Sequence, residues 1–381
     1  MKKRIIYMDY AAATPVDKTV LDAMSPYFSD QFYNPSSIYL SAREVKQDIA
    51  QARATVAQLL GAKTNEIIFT AGGTEANNLA IHGVMRQYKD AQCIIAATEH
   101  ESVRQAAAIY KNKQAPVKKD GVLDVSKLQR LITPKTVLIS VSYANSETGT
   151  VQPIREIAAI VEKECLVRKK HNNTLPLYLH TDASQAACYL DLNVHRLGVD
   201  MLTINGGKMY GPKQSGALYV KTGLELSPLI YGGGQEGSVR SGTENVPAII
   251  GLATAFELAR KDYKDEFKNM QELLRYFVDK LEKTIPSAFI NGSIKNRLPN
   301  NIHLTIPGID NERVLMELDE RGIVCSTGSA CSASSEEPSK VLTAMGLKKE
   351  EIQSSLRFTM GKTTTKPQID KVVKNLNEII G

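Results

Sequence analysis

Short apolar runs alternate with amphipathic stretches along most of the chain. EIIFT (66–70), CIIAA (93–97) and TVLISVS (136–142) predict buried strands, as do Leu175–Leu179, Met201–Ile204 and Ala217–Val220. Each of the first five breaks at its carboxyl end into glycine or short polar residues, namely Gly72, Gly73 and Thr74; His100; Asn145, Ser146 and Glu147; Asp182; and Asn205 to Lys208. Helical patterns separate them. One begins after Asp17, which is placed to cap it, a long one leaves the loop Asn34–Ser37 and stops at Gly61, and another spans Ile154–Lys170. Strands alternating with helices predict a mostly parallel sheet in a three-layer α/β domain, with ligand contacts at the strands' carboxyl ends.

The pattern turns helical from about Val246 to Ile285, with a break near Lys261–Lys264, and this length suits a connector between two domains. Beyond it, strands at Asn301–Ile306 and Ile323–Ser326 alternate with helices at Asn311–Arg321, Pro338–Met345 and Lys366–Ile380. We expect a large domain over 15–264 and a smaller C-terminal α/β domain made of 1–14 plus 265–381.

Composition narrows the class. The 381 residues are 43% hydrophobic and 23% charged, ordinary values for a globular protein, and no apolar run reaches the roughly 20 residues needed to span a bilayer. The opening MKKRIIYMDY passes straight into polar sequence without a cleavable apolar segment, so a cytoplasmic location is expected and no membrane partner. The net charge of +6 is modest; the densest basic cluster, Arg168 to His171, ends a predicted helix where it complements the dipole, and no nucleic-acid signature accompanies it. Five cysteines, at 93, 165, 188, 325 and 331, lack C-x-x-C spacing, which fits a reducing compartment and suggests neither zinc nor an iron–sulfur cluster.

Lys208 stands at a strand end among small residues, ahead of a rigid turn at Gly211 and Pro212, a setting for an imine-forming amine. Asp182 ends the preceding strand, where an acid can hold a heterocyclic nitrogen protonated. Either residue alone reads equally as a solvated strand end; together they suggest pyridoxal 5'-phosphate (PLP). Gly72, Gly73 and Thr74 open a helix whose amides suit a phosphate. His100 reads either as a loop hydrogen-bonder or as a ring lying over the cofactor. The loop at Asn34–Ser37 lines a substrate site or, through Ser36 or Ser37, caps the helix that follows. Cys331 lies within Ser326–Ser335, a run of small residues that predicts a loop able to carry a thiol between two places, whereas Cys325 ends an apolar strand and reads as core.

Ordered blocks extend this picture: MDYAAATP (8–15), FTAGGTEANNLAI (69–81), TEH (98–100), HTDASQ (180–185), KMYGPK (208–213), RSGTEN (240–245), STGSACSASSEEPS (326–339) and SLRFTMG (355–361). With them the chain resembles the cysteine desulfurases of the NifS/IscS type, in the class V aminotransferase superfamily. The resemblance implies the PLP-dependent transferase fold of type I and conversion of L-cysteine to L-alanine. It implies that Lys208 carries the cofactor and moves the Cα proton, that His100 acts beside it, and that Cys331 takes the substrate sulfur as a persulfide. Gly73, Thr74, Asn145, Asp182, Gln185 and Asn205 would hold the cofactor, Asn34 and Arg357 the substrate. Thr243 would reach the phosphate in a neighbouring subunit, which implies a homodimer.

The chain departs from the family at Asn205 and Gly207, where relatives carry serine and histidine, and at Ser146 and Tyr39. Glycine offers only its backbone amide to a phosphate. The sulfur acceptor is left open between an iron–sulfur scaffold and a tRNA-thiolating enzyme. Two other readings compete: a selenocysteine lyase or other class V carbon–sulfur lyase, and a non-catalytic sulfur-relay scaffold.

Overall fold

The structure, a computed structural model, describes residues 5–328 and 338–381. Cys331, with its neighbours at 329–337, lies outside the described residues. The strands are β1 (Ile6–Tyr7), β2 (Ile67–Thr70), β3 (Gln92–Ala96), β4 (Lys111–Ala115), β5 (Thr136–Ser140), β6 (Tyr178–Asp182), β7 (Met201–Asn205), β8 (Gly216–Val220), β9 (Phe289–Ile290), β10 (Asn301–Thr305), β11 (Ile323–Val324) and β12 (Ser355–Thr359).

Seven of them form one sheet in the order β2-β8-β7-β6-β5-β3-β4. Only β8 runs against its neighbours; β4, β3, β5, β6 and β7 pair in parallel. Parallel strands covered on both faces need continuous apolar sequence, and every residue of β5 is buried. The expected α/β architecture is therefore present, and β2, β3, β5, β6 and β7 all deliver their following loops to one edge. A second sheet, β12-β10-β9, is antiparallel, and β1 pairs with β11. Asp9 bridges to Thr359, so the amino-terminal segment is stitched to the carboxyl-terminal third.

Helices follow the predicted pattern closely. Asp17 accepts from the amide of Thr19 to start Lys18–Met24, and Gly61, at φ +71°, closes Leu40–Leu60. The long helical stretch divides at Asp262 into Val246–Lys261 and Tyr263–Thr284, and the last helix is Lys366–Ile380.

Three local readings change. Residue 175 does not start a strand: Arg168 donates to the carbonyls of Leu175 (3.2 Å) and Pro176 (2.9 Å), taking acceptors that a ladder would use, and β6 begins at Tyr178. Arg168 is thus a buried tie, 4% exposed, as well as a basic residue in the last turn of its helix. Neither Ser36 nor Ser37 caps the long helix. Its N-cap is Tyr39, without a side-chain bond, and the preceding loop is turned instead by Asn34 Oδ1 accepting from the Ser36 amide at 2.9 Å.

Candidate active site

A cavity of about 640 Å³ opens at the carboxyl edge of the large sheet. Gly73, Thr74, His100, Asn145, Asp182, Gln185, Asn205, Lys208 and Arg357, nine residues singled out from sequence, line it together. Thr243 and Asn34 do not; both are exposed side chains outside the lining of this chain's cavity.

Lys208 follows β7 in a single helical turn, and its Nζ donates to the carbonyls of Ala11 (2.7 Å) and Ala12 (2.6 Å). Two main-chain carbonyls thus help to hold the amine at the cavity. Asp182, at the tip of β6, has both oxygens aimed: Oδ2 accepts from Asn77 Nδ2 at 2.7 Å and Oδ1 from the Ser184 amide at 2.9 Å. Asn77 also donates to Ser102 Oγ at 2.9 Å. His100 caps the helix Glu101–Ala108, its Nδ1 accepting from the Ser102 amide at 3.1 Å, so the neutral ring carries its proton on Nε2. His100 is thus a loop hydrogen-bonder, as one sequence reading had it, and it also lines the cavity.

At the opposite side Arg357 is 2% exposed. One Nη donates to Asp9 Oδ1 at 2.6 Å and the other to the Ser146 carbonyl at 3.1 Å, which fixes the plane of the guanidinium. Ser146 acts here through its main chain, so the serine in place of asparagine leaves that contact intact. Gln185 gives one amide proton to the Ala11 carbonyl at 3.0 Å. Asn145 spends Oδ1 on the amides of Glu147 (3.0 Å) and Thr148 (2.9 Å) and donates to the Thr98 carbonyl at 3.0 Å, so it chiefly shapes its loop.

The residues present fit PLP. The helix Gly73–Met85 begins at Gly72, with φ +101°, and no side chain caps it, an arrangement that an anion completes. Ser184 Oγ is buried beside it without a hydrogen-bond partner. A Cβ at Gly73 would stand 3.1 Å from that hydroxyl and 3.2 Å from Asn205 Nδ2, so glycine keeps the cradle open. Gly207 adds no phosphate ligand, since its amide already donates to Asn205 Oδ1 at 3.1 Å. Among the described residues no group of three metal-binding side chains exists, and Cys325 is a buried thiol pushed up to about 12 by burial.

Sequence reasoning missed Asn77, Ser184, Glu99 and Glu147. Asn77 was visible as a polar residue on the buried face of a helix, between Ala76 and Leu79; Glu99 sat inside the TEH block and Glu147 among the polar residues ending a predicted strand, neither with an assigned task. Glu147, almost fully buried, accepts from Ser339 Oγ at 2.6 Å, and burial raises its pKa. Glu99 accepts from the Ser142 amide (2.7 Å) and hydroxyl (2.5 Å) and is pushed up to about 8, first by burial and then by Asp182, against the Ser142 bonds.

Glu99 makes stability depend on pH. Its folded pKa lies above the unfolded value, so between about pH 5 and about 8 the folded chain holds a proton that the unfolded chain has lost, and stability falls as pH rises. The slope from this group is at most about 1.4 kcal/mol per pH unit. Glu99→Gln should flatten the decline of the urea midpoint across that window; an unchanged slope would show the carboxyl to be ionised in the fold.

The chain matches the model of the family described as "Aminotransferase class-V" over residues 6–372. It is 42% identical to the cysteine desulfurase IscS of Dictyoglomus turgidum (strain DSM 6724 / Z-1310), across 99% of this chain and 95% of that one. Among solved structures it is similar to a NifS-like protein (TM-score 0.90, 31% identity, 99% of both chains). It is also similar to SspA in complex with cysteine (TM-score 0.79, 36% identity, 93% of this chain and 98% of that one). A family match over nearly the whole length, on a cavity that holds the lysine, the aspartate and the anion cradle together, leads to one conclusion: the chain belongs to the class V aminotransferase family and is a PLP-dependent enzyme.

Proposed function

We propose that the chain is a cysteine desulfurase that converts L-cysteine to L-alanine and carries the released sulfur as a persulfide on Cys331. The observation that carries the reading is the joining, in one cavity, of the Lys208 amine, the aimed carboxylate of Asp182 and the fixed guanidinium of Arg357. When bound, PLP supplies an electron sink that makes the Cα proton of an amino acid removable. Asp182 keeps a proton on the cofactor's ring nitrogen, and Lys208 takes and returns the Cα proton. Arg357 grips the substrate carboxylate.

Residues beside 329–337 stand at the same cavity: Ser326 pairs with Arg357, and Pro338 and Ser339 line the wall. That supports delivery of Cys331 to the substrate sulfur. The similar chain solved with cysteine supports the substrate. The division into 15–264 and 1–14 plus 265–381 belongs to this reading, supported by separate sheets and by the stitching of Asp9 to Thr359.

The working form is a homodimer in which Thr243 serves the other subunit's cofactor. Thr243 is exposed, and so are the large apolar side chains Ile38 (84%), Leu40 (75%) and Tyr231 (76%), which need a partner surface. A reducing, cytoplasmic setting suits the free buried thiols of Cys93, Cys188 and Cys325. The sulfur passes to an acceptor protein, an iron–sulfur scaffold or a tRNA-thiolating enzyme, with no direct contact to nucleic acid or membrane. Among the described residues no helix is long and apolar enough to cross a membrane.

The test feeds cysteine to the purified protein and measures alanine, sulfide and protein persulfide. Cys331→Ser should lose about 10²-fold in sulfide release and all persulfide while keeping the cofactor's visible absorbance. Retained sulfide release in that variant would favour a simple carbon–sulfur or selenocysteine lyase. Absence of the absorbance in wild type, even after added PLP, would favour a scaffold.

A further inference from the structure

The segment Gln235–Thr243 crosses an exposed part of the surface, yet buried charge pins it. Glu236, Gly237 and Ser238 adopt φ values of +47°, +64° and +66°. Two of those three residues carry a Cβ, so this left-handed run is costly and persists only where its surroundings dictate it. The Glu236 side chain does so: it is 4% exposed, and its two oxygens receive the Arg53 guanidinium at 2.6 and 2.7 Å. Glu236 Oε2 also accepts from the Phe69 amide of β2 at 2.8 Å, and Arg53 lies over the Phe69 ring at 4.6 Å. Further along, Arg240 Nε donates to Glu75 Oε1 at 2.8 Å, in the first turn of Gly73–Met85. Flanking the two anchors, the Gly242 amide donates to Gln235 Oε1 at 2.9 Å.

The segment is therefore fastened at Glu236 to β2 and at Arg240 to the helix that follows it, and Thr243 stands three residues beyond the second anchor. Arg53, Glu75, Glu236 and Arg240 are all absent from the lining of this chain's own cavity. Desolvating a carboxylate and a guanidinium is an expensive way to hold a loop. It is accounted for where the position of the loop's end matters, and Thr243 is exposed and outside the lining of its own chain's cavity.

We propose that Glu236 with Arg53, and Arg240 with Glu75, are positioning residues for the active site of a second copy of this chain: they hold Thr243 where it meets the phosphate bound by that copy. The inference rests on the reading of Thr243 given above. It adds that the determinants of one subunit's phosphate affinity lie in two half-buried ion pairs of the other.

Hybrid dimers test it, built from two differently tagged chains so that only one subunit retains Lys208. PLP is titrated in, borohydride fixes it to the intact Lys208, and mass spectrometry reads the half-labelling concentration without recourse to activity. With Glu236→Gln on the Lys208→Ala subunit, opposite the intact site, half-labelling should need about tenfold more PLP. With Glu236→Gln on the subunit that keeps Lys208, it should stay within twofold of wild type. Equal shifts in the two arrangements, or none in either, would overturn the proposal. Should Glu236→Gln fail to assemble, Arg240→Gln is run in the same two arrangements with the same expectation. Thr243→Ala opposite the intact site is the control; if it shifts nothing, the reading of Thr243 falls and takes the inference with it. A shift there without one from Glu236→Gln or Arg240→Gln would overturn the inference alone.

Discussion

Lys208→Ala is expected to lower turnover of cysteine by about 10⁴-fold or more, while the chain stays folded. The size follows from two roles meeting in one atom. Under the proposed function the amine carries the cofactor covalently and is also the base that moves the Cα proton, so truncation removes both. Stability changes little by comparison. The half-buried Nζ makes hydrogen bonds to the carbonyls of Ala11 and Ala12, and removing its side chain costs on the order of 1 to 3 kcal/mol. Lys208→Arg separates charge from chemistry: it keeps a cation beside those carbonyls but cannot deprotonate, and it should be as inactive as alanine. The checks are alanine production and borohydride fixation of PLP, which should vanish in both variants. Turnover within tenfold of wild type in either would remove Lys208 from the reaction.

Much of this was legible before any coordinates, and the reason is local. A strand buried on both faces must be apolar along its length, so β5 and β7 announce themselves, and the small polar residues that end them mark the functional edge. Gly61 and Asp17 fixed helix ends because each satisfies orphaned backbone groups in a way few residues can. What stayed hidden is what depends on contacts between distant segments. Nothing near residue 175 says that Arg168 will claim its carbonyl, and nothing in TEH says that Glu99 will meet Ser142, 43 residues on. Arg357 was singled out as a carboxylate clamp, but its anchoring by Asp9 joins the two ends of the chain, 348 residues apart, and no pattern within either segment encodes it. Thr243 is a different case, since its place outside this chain's cavity fits the proposed homodimer; Asn34, expected to hold the substrate, is not brought to the cavity.

Asp182→Asn should cost about 10³-fold in turnover, and its neighbours explain why an isosteric change does so much. The carboxylate accepts from Asn77 Nδ2 on one oxygen and from the Ser184 amide on the other. An amide at residue 182 must turn its own NH₂ toward one of these donors, so it either loses a bond or rotates away. In both cases it lacks the charge that, under the proposed function, keeps a proton on the cofactor's ring nitrogen. Asn77→Leu, which leaves the charge but frees the carboxylate from one side, should cost roughly tenfold. A second readout separates charge from packing. Glu99 is held high by burial and, in part, by the negative charge of Asp182, so Asp182→Asn should lower the Glu99 pKa from about 8. His180, already lowered by burial, is raised by the same charge and should fall further. The window in which stability declines with pH would then close earlier at its alkaline end in Asp182→Asn, while Asn77→Leu, keeping the charge, would leave that end in place. If the two variants shift the window equally, the loss of activity comes from collapse of the pocket, and Asp182 is not acting through its charge.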